Sequence, residues 1–325
     1  MSLIGFLVRK ITSRVLVFYL LLTLTFIIPR LMPGGAFAYL IENPNVTPEM
    51  REALIKAYGL DQPLYVQYYI FLRKLLLDGD LGVSYTYKRP VLDVILEALP
   101  WTLALVTTSI ILSFAIGVPL GVWLAFNRAS RTGVSVSGLL FIIRSIPGFW
   151  LGLLMLIIFG YYMGVAPLYG AYTYGVTYSN LYEWLADVIS HMWLPILTLV
   201  LLILPFPAIY TRNAVVDVIE EDFVKTAKAK GLPEAMVMLK HALRPASLPI
   251  VTLFALELGT SVGGALLIEI VFSLPGMGKL FYDSIYTSDY PLLLGIVIFV
   301  SAVTLALITT VEILYAIIDP RVRIR

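Results

Sequence analysis

Asp222–Pro249 reads DFVKTAKAKGLPEAMVMLKHALRPASLP, a polar and basic island between two long apolar stretches. Lys225, Lys228 and Lys230 fall around one short helical turn, with Ala227 and Ala229 between them. Gly231 is placed to end that turn, Pro233 to begin a second, and Arg244-Pro245 to close it. Two short cationic helices about a glycine hinge, bracketed by apolar runs, read as a docking element for a soluble partner at a membrane surface.

Composition supports the membrane. Of 325 residues, 59% are hydrophobic and only 14% are charged, with a mean hydropathy of +0.90. A soluble domain is closer to a quarter charged. The chain has no cysteine, which excludes a disulfide framework and a thiolate metal site. A net charge of +2 gives no reason to expect nucleic acid as a partner.

A hydrocarbon core requires about 20 apolar residues per helix. Six stretches meet that need, near Val15–Met32, Trp101–Phe126, Val134–Met163, Trp193–Tyr210, Ile250–Phe272 and Leu292–Ile318. The third and sixth exceed it and are expected to tilt or to extend beyond the bilayer. The first follows Arg9, Lys10 and Arg14 with no small-residue cleavage site behind it, so it reads as a retained helix. On the same side as these cations lie Arg128, Arg131, Arg212, Lys225, Lys228, Lys230, Lys240, Arg244, Arg321, Arg323 and Arg325. The short loops opposite, 164–192 and 273–291, contain only Lys279. Both termini and the opening stretch are therefore expected in the cytoplasm.

These boundaries divide the chain into 1–33 (N-terminus and first span), 34–98 (an external helical lid) and 99–325 (a five-helix core with its docking loop at 212–249). In the lid, Thr47-Pro48-Glu49 is an N-cap, N1 proline and acidic first turn, with Gly59 as the stop. Asp61 is placed to cap a second helix running to Leu77, and Pro90 to begin a third. The second external loop, rich in Tyr and Gly, suits either an interfacial aromatic belt or ligand contact.

Within the spans, Gly117/Gly121, Gly148/Gly152 and Gly259/Gly263 place small residues four apart, which lets helices approach closely. Pro119 and Pro147 are expected to kink their helices. Arg144, Glu257, Glu269 and Glu312 would each cost roughly 2.5–3.5 kcal/mol at a helix centre, so none should face lipid. They belong to a polar path or to interhelical hydrogen bonds, or, for Arg144 and Glu269, snorkel to the nearby interfaces. His191 and His241 are the only histidines, and neither a zinc motif nor a phosphate loop is present.

Read together, the motifs resemble the B-type permease subunit of dipeptide and oligopeptide ABC importers along nearly the whole chain. They are Arg30-Leu-Met-Pro-Gly34, Tyr58-Gly-Leu-Asp-Gln-Pro63, Gly79-Asp-Leu-Gly-Val-Ser84, Ser145-Ile-Pro-Gly-Phe-Trp-Leu-Gly152, the opening stretch with His241-Ala-Leu-Arg244, Val271-Phe-Ser-Leu-Pro-Gly-Met-Gly278, Asp289-Tyr-Pro291 and Asp319-Pro-Arg321. Ala227, Gly231 and Leu243 fall in register with the family's cytoplasmic signature. Lys225 and Arg244 depart from the general pattern toward the peptide subfamily. Pro245 departs from it individually, and is expected to sharpen the bend after the second short helix.

The resemblance implies an all-α membrane protein with six transmembrane helices, the type I ABC importer permease fold, in the cell membrane. Asp222, Lys225, Thr226, Ala227, Lys228, Ala229, Lys230, Gly231 and Leu232 would form a coupling helix seated in a cytoplasmic ATPase. Ser145, Pro147, Trp150, Glu257, Ser261 and Glu269 would contribute to the translocation path. A second, homologous permease would complete a heterodimer. Two ATPases would bind ATP and Mg, leaving this chain without a cofactor, and an external binding protein would dock partly on the lid. Peptides lead as the substrate class, with oligosaccharides next and nickel as a third. A membrane-embedded enzyme acting on lipid-linked substrates is the rival from another class. It would need a cluster of acids on one face, and Asp61, Asp78 and Asp80 fit helix ends better.

Overall fold

A computed structural model describes residues 3–31, 47, 49, 52, 55 and 61–318. The first lid helix and the Asp319-Pro-Arg321 motif fall for the most part outside the described residues. The chain separates into two compact units, Met1–Leu99 with Leu280–Arg325, and Pro100–Lys279. Four described helices are long and apolar enough to cross a membrane, or up to six if each of two bent helix pairs counts as one span.

In the first unit, α1 (Leu3–Leu31) packs antiparallel to the last helix. Both are apolar nearly all round, as a lipid-facing helix must be. Only 17% of the most apolar window of α1 is buried, against 50% for Leu181–Ile219 in the other unit. Near its start α1 is fastened by charge: Lys10 Nζ and Arg14 Nη2 reach Glu312 Oε1 at 3.1 and 2.9 Å. Toward its end, Arg30 donates Nε and Nη2 to Gln67 Oε1 at 3.2 and 3.1 Å, holding α2 (Leu64–Leu77). That helix ends where expected, but Asp61 does not cap it. Pro63 occupies the N-cap position without a side-chain bond, while Asp61 Oδ2 accepts from Gln62 Nε2.

The 36-residue α3 (Val91–Phe126) carries Pro100 and Pro119 without interruption. Pro147 acts differently. It fixes Ile146 in an extended conformation and breaks the third apolar stretch into α4 (Arg131–Ser145) and α5 (Gly148–Met155), the latter continued by a π-helical run, Leu156–Tyr162. The two arms meet at 98°, a sharper break than the kink expected at Pro147. Next come α6 (Leu181–Ile203) and α7 (Pro205–Ile219), longer together than the predicted span. Glycines allow α3 to press on α7: a Cβ on Gly121 would lie 2.4 Å from Ala208 O, and one on Gly117 2.9 Å from Pro207 Cγ. Buried Ser109 and Ser113 add hydroxyl bonds from α3 to the α6 carbonyls of Ile196 and Val200, at 3.4 and 3.3 Å.

The polar island contains α8 (Asp222–Ala229) and a helix entered at α9 (Glu234–Met236). Arg244-Pro245 does not close the second helix. A π-helical run, Val237–Leu243, leads directly into α10 (Arg244–Thr260), and the helix continues through Pro245. The 57° bend lies between Ser247 and Pro249 instead. The predicted fifth span is also interrupted. A 3₁₀ turn, Ser261–Gly263, and Gly264 at φ +80° separate α10 from α11 (Leu266–Val271). The chain then forms α12 (Met277–Tyr286) and α13 (Tyr290–Ile318).

Candidate functional site

Two families of motif residues stand out, and they are built on opposite plans. In α8 the small and apolar residues fall at i, i+3 and onward. Val224 and Ala227 pack with Val237 into a buried cluster against Phe126, Val218 and Leu232. Ala227 is small because it is pressed into that cluster. The other face is open: Lys225, Thr226, Lys228, Ala229 and Lys230 are exposed, as is Phe223. Lys225 Nζ lies 2.9 Å from Asp222 Oδ1, and Lys228 Nζ lies 5.2 Å from the Phe126 ring. Gly231 closes the helix at φ +72°, with its N–H on Lys228 O at 2.9 Å. A Cβ there would meet nothing within 4 Å, so glycine is required by the backbone angle alone. The stretch from Asp222 to Leu232 is thus one short helix and its stop, seated by three apolar side chains.

The 264–279 segment is the reverse, a carboxylate sealed inside a loop. Glu269 is fully buried. Its Oε1 accepts from Thr102 Oγ1 at 2.8 Å and from the Ala265 N–H at 3.3 Å, and its Oε2 accepts from the Lys279 N–H at 3.0 Å. Thr102 Oγ1 in turn accepts from the Met277 N–H at 2.7 Å. Glycines line this cage for want of room. A Cβ on Gly276 would sit 2.4 Å from Glu269 Oε2, and one on Gly278 2.6 Å from Leu266 Cα. The Val271–Gly278 motif is therefore a backbone shell fitted to one side chain. Thr102 was not legible as its partner, since 167 residues separate the two.

In the first unit two of the sequence motifs, 205 residues apart at Ser84 and Asp289, meet. Asp289 is fully buried and accepts from Ser84 Oγ at 2.5 Å, from the Thr86 N–H at 2.9 Å and from the Leu292 N–H at 3.2 Å. The Gly79–Ser84 and Asp289–Pro291 motifs hold each other.

Of the residues assigned to a path, Ser145, Pro147 and Trp150 come together. They line an open concavity of about 580 Å³ at the α4–α5 break, with Phe141, Ile142 and Ile146. Glu257 is half-buried on α10, and Ser261 is buried with its hydroxyl on Leu258 O at 2.7 Å. In the Tyr-rich loop, Thr173 N–H and Oγ1 and Tyr178 OH bond to the Asp187 carboxylate at 2.6 to 2.7 Å. That bond raises the Tyr178 phenol above its usual range. Tyr172 stacks on Trp101 at 5.6 Å, so part of this aromatic set is packing.

Long apolar helices, two of them broken beside polar motifs, and an exposed polar helix define a multi-pass permease fold. The same fold occurs in a chain of the MetNI methionine ABC transporter in an inward-facing conformation, with a TM-score of 0.51 at 23% identity over 68% of this chain and 96% of that one. The chain belongs to the family of binding-protein-dependent transport system inner membrane components, whose pattern it matches over residues 117–324, with the family's N-terminal region at 3–106. It is 33% identical to the oligopeptide transport system permease protein AppB of Bacillus subtilis, over 98% of this chain and 99% of that protein. It is 32% identical to the glutathione transport system permease protein GsiC of Escherichia coli K12, and 32% to the di/tripeptide transport system permease protein DppB of Pseudomonas aeruginosa, each over 98% of this chain and 99% of the relative. It is a membrane permease subunit of a binding-protein-dependent ABC importer.

Proposed function

We propose that this chain is the B-type half of a peptide importer, with six spans, both termini in the cytoplasm, and the 34–98 region as an external lid. The observation that carries the coupling part is the build of α8. A helix seated by Val224 and Ala227 offers Lys225, Thr226, Lys228 and Ala229 outward, on the face where the basic residues gather. Asp222 to Leu232 would sit in a cleft of a partner ATPase, which holds the ATP and Mg. This chain has no phosphate loop and would hydrolyse nothing itself. A homologous second permease would complete the path as a heterodimer, and an external binding protein would deliver the load.

Peptide substrates are supported by the names of the full-length relatives. Ser145, Pro147, Trp150 and Glu257 are the residues we place on the path. Ser261 and Glu269 shape it from behind, because the carboxylate of Glu269 is already occupied by three donors. The test is reconstitution of the complete transporter and its binding protein in proteoliposomes. ATP-dependent accumulation of a labelled short peptide is expected. Accumulation of a labelled oligosaccharide, with none of peptide, would overturn the substrate reading and leave the coupling reading standing.

A further inference from the structure

The short helix α2 is apolar on its exposed side as well as on the side where Tyr68 and Phe71 pack on Phe26 of α1. Gln67, on the side that meets α1, is buried and hydrogen-bonded to Arg30, while Leu64, Tyr65, Tyr69, Leu76 and Leu77 are 63% to 77% exposed. Tyr65, Tyr69, Leu76 and Leu77 fall along one side of the helix, with exposed Arg73 among them, while Leu64 borders the side that meets α1. An apolar stripe that includes two tyrosines, with basic side chains at its C-terminal half, is the composition of a helix lying in a bilayer headgroup layer.

Its depth is set by α1. The candidate span in α1 ends at Ile28, and α2 touches the turns around that point. Thr23 Oγ1 lies 2.7 Å from Tyr68 OH, Phe26 packs edge-on against Tyr68 at 5.0 Å, and Arg30 follows immediately beyond the span. Between the two helices runs a groove of about 400 Å³, walled by Ile27, Leu31, Leu64, Tyr65 and Tyr68, with Arg30 at its edge. Ile27 and Leu31 also belong to the exposed apolar flank of α1. The groove is thus continuous with a surface that already faces lipid, and its volume is within the range of small-ligand sites.

We propose that α2 lies in the headgroup layer at the Leu31 end of α1, and that the α1–α2 groove holds one acyl chain of a bilayer phospholipid, with Arg30 near its headgroup. The placement rests on the membrane location of the family and is independent of the substrate. It gives α2 a fixed height at the membrane surface.

The absence of native cysteine makes the test direct. Single variants Tyr69→Cys and Leu76→Cys, in the full-length chain assembled with its partners, are labelled with a fluorophore in nanodiscs of phosphatidylcholine and phosphatidylglycerol. Lipids carrying a nitroxide near the headgroup or near the chain end act as quenchers, with Leu16→Cys as the control. Both α2 labels are expected to lose at least half their emission to the headgroup nitroxide and much less to the chain-end one. Leu16→Cys should show the opposite order, with no quenching by iodide in water. Labels on α2 that respond to iodide alone place the helix in water, and labels reached by neither quencher place it under protein. Either result overturns the proposal. For the groove, Ile27→Trp should lower the number of phospholipids retained in native mass spectrometry by one, and an unchanged number removes the acyl-chain site.

Discussion

The α8 segment and the Glu269 cage are both glycine-marked motifs of one unit, yet glycine serves different ends in each. At Gly231 the space is empty and the backbone angle decides. At Gly276 and Gly278 there is no room for a Cβ within the cage. In α8 the polar groups face outward and three apolar side chains seat them; around Glu269 the polar group is internal and three donors point at it. The first arrangement suits a surface meant to be covered by a partner. The second holds a loop shape, because a buried carboxylate with fixed donors tolerates no other backbone path. A motif in a membrane protein can therefore mark a contact or a lock, and burial tells them apart.

The contrast can be broken by substitution, and the largest effect is expected at the lock. Glu269→Ala takes the acceptor from the fully buried Thr102 hydroxyl, at roughly 1–3 kcal/mol, and from the part-buried Ala265 N–H. Thermal melting of the detergent-solubilised complex should show a sharply lowered transition or no folded fraction. Gly276→Ala drives a methyl into the carboxylate and should cost about 1–3 kcal/mol by overpacking, read as a smaller drop in the same transition. Gly231→Ala meets no clash and should cost only ~1 kcal/mol, the penalty for a side chain in the left-handed region. Lys225→Ala removes an exposed ion pair and should leave melting unchanged, while weakening copurification of the ATPases. A melting loss at Gly231 as large as that at Gly276 would erase the distinction.

Hydropathy made the apolar stretches legible, and the charge of the intervening loops grouped the basic residues. The course of the backbone inside two stretches was not legible. Proline rules anticipate a bend at Pro147 but not a 98° turn, which also depends on α4 and α5 each finding surfaces to pack on. At Arg244-Pro245 the local rule misled, because a preceding π-helical run lets the helix continue through the proline. Asp61 looked like a cap, but Pro63 already presets the first turn of α2. The α8 register could be read from its own residues, whereas the cage could not. Glu269 was visible as a costly charge, but Thr102, and the pairing of Ser84 with Asp289 across 205 residues, exist only in the folded chain.

The central claim is that the exposed face of α8 is the seat of an ATPase. Ala229 is exposed on that face, so Ala229→Trp adds bulk without entering the buried cluster of Val224, Ala227 and Val237. The decisive measurement is affinity purification of this variant from cells expressing the whole transporter, scored for retained ATPase and for ATP-driven uptake. The account predicts a permease with unchanged melting that has lost its ATPases and its transport. An Ala229→Trp complex that keeps both would contradict it.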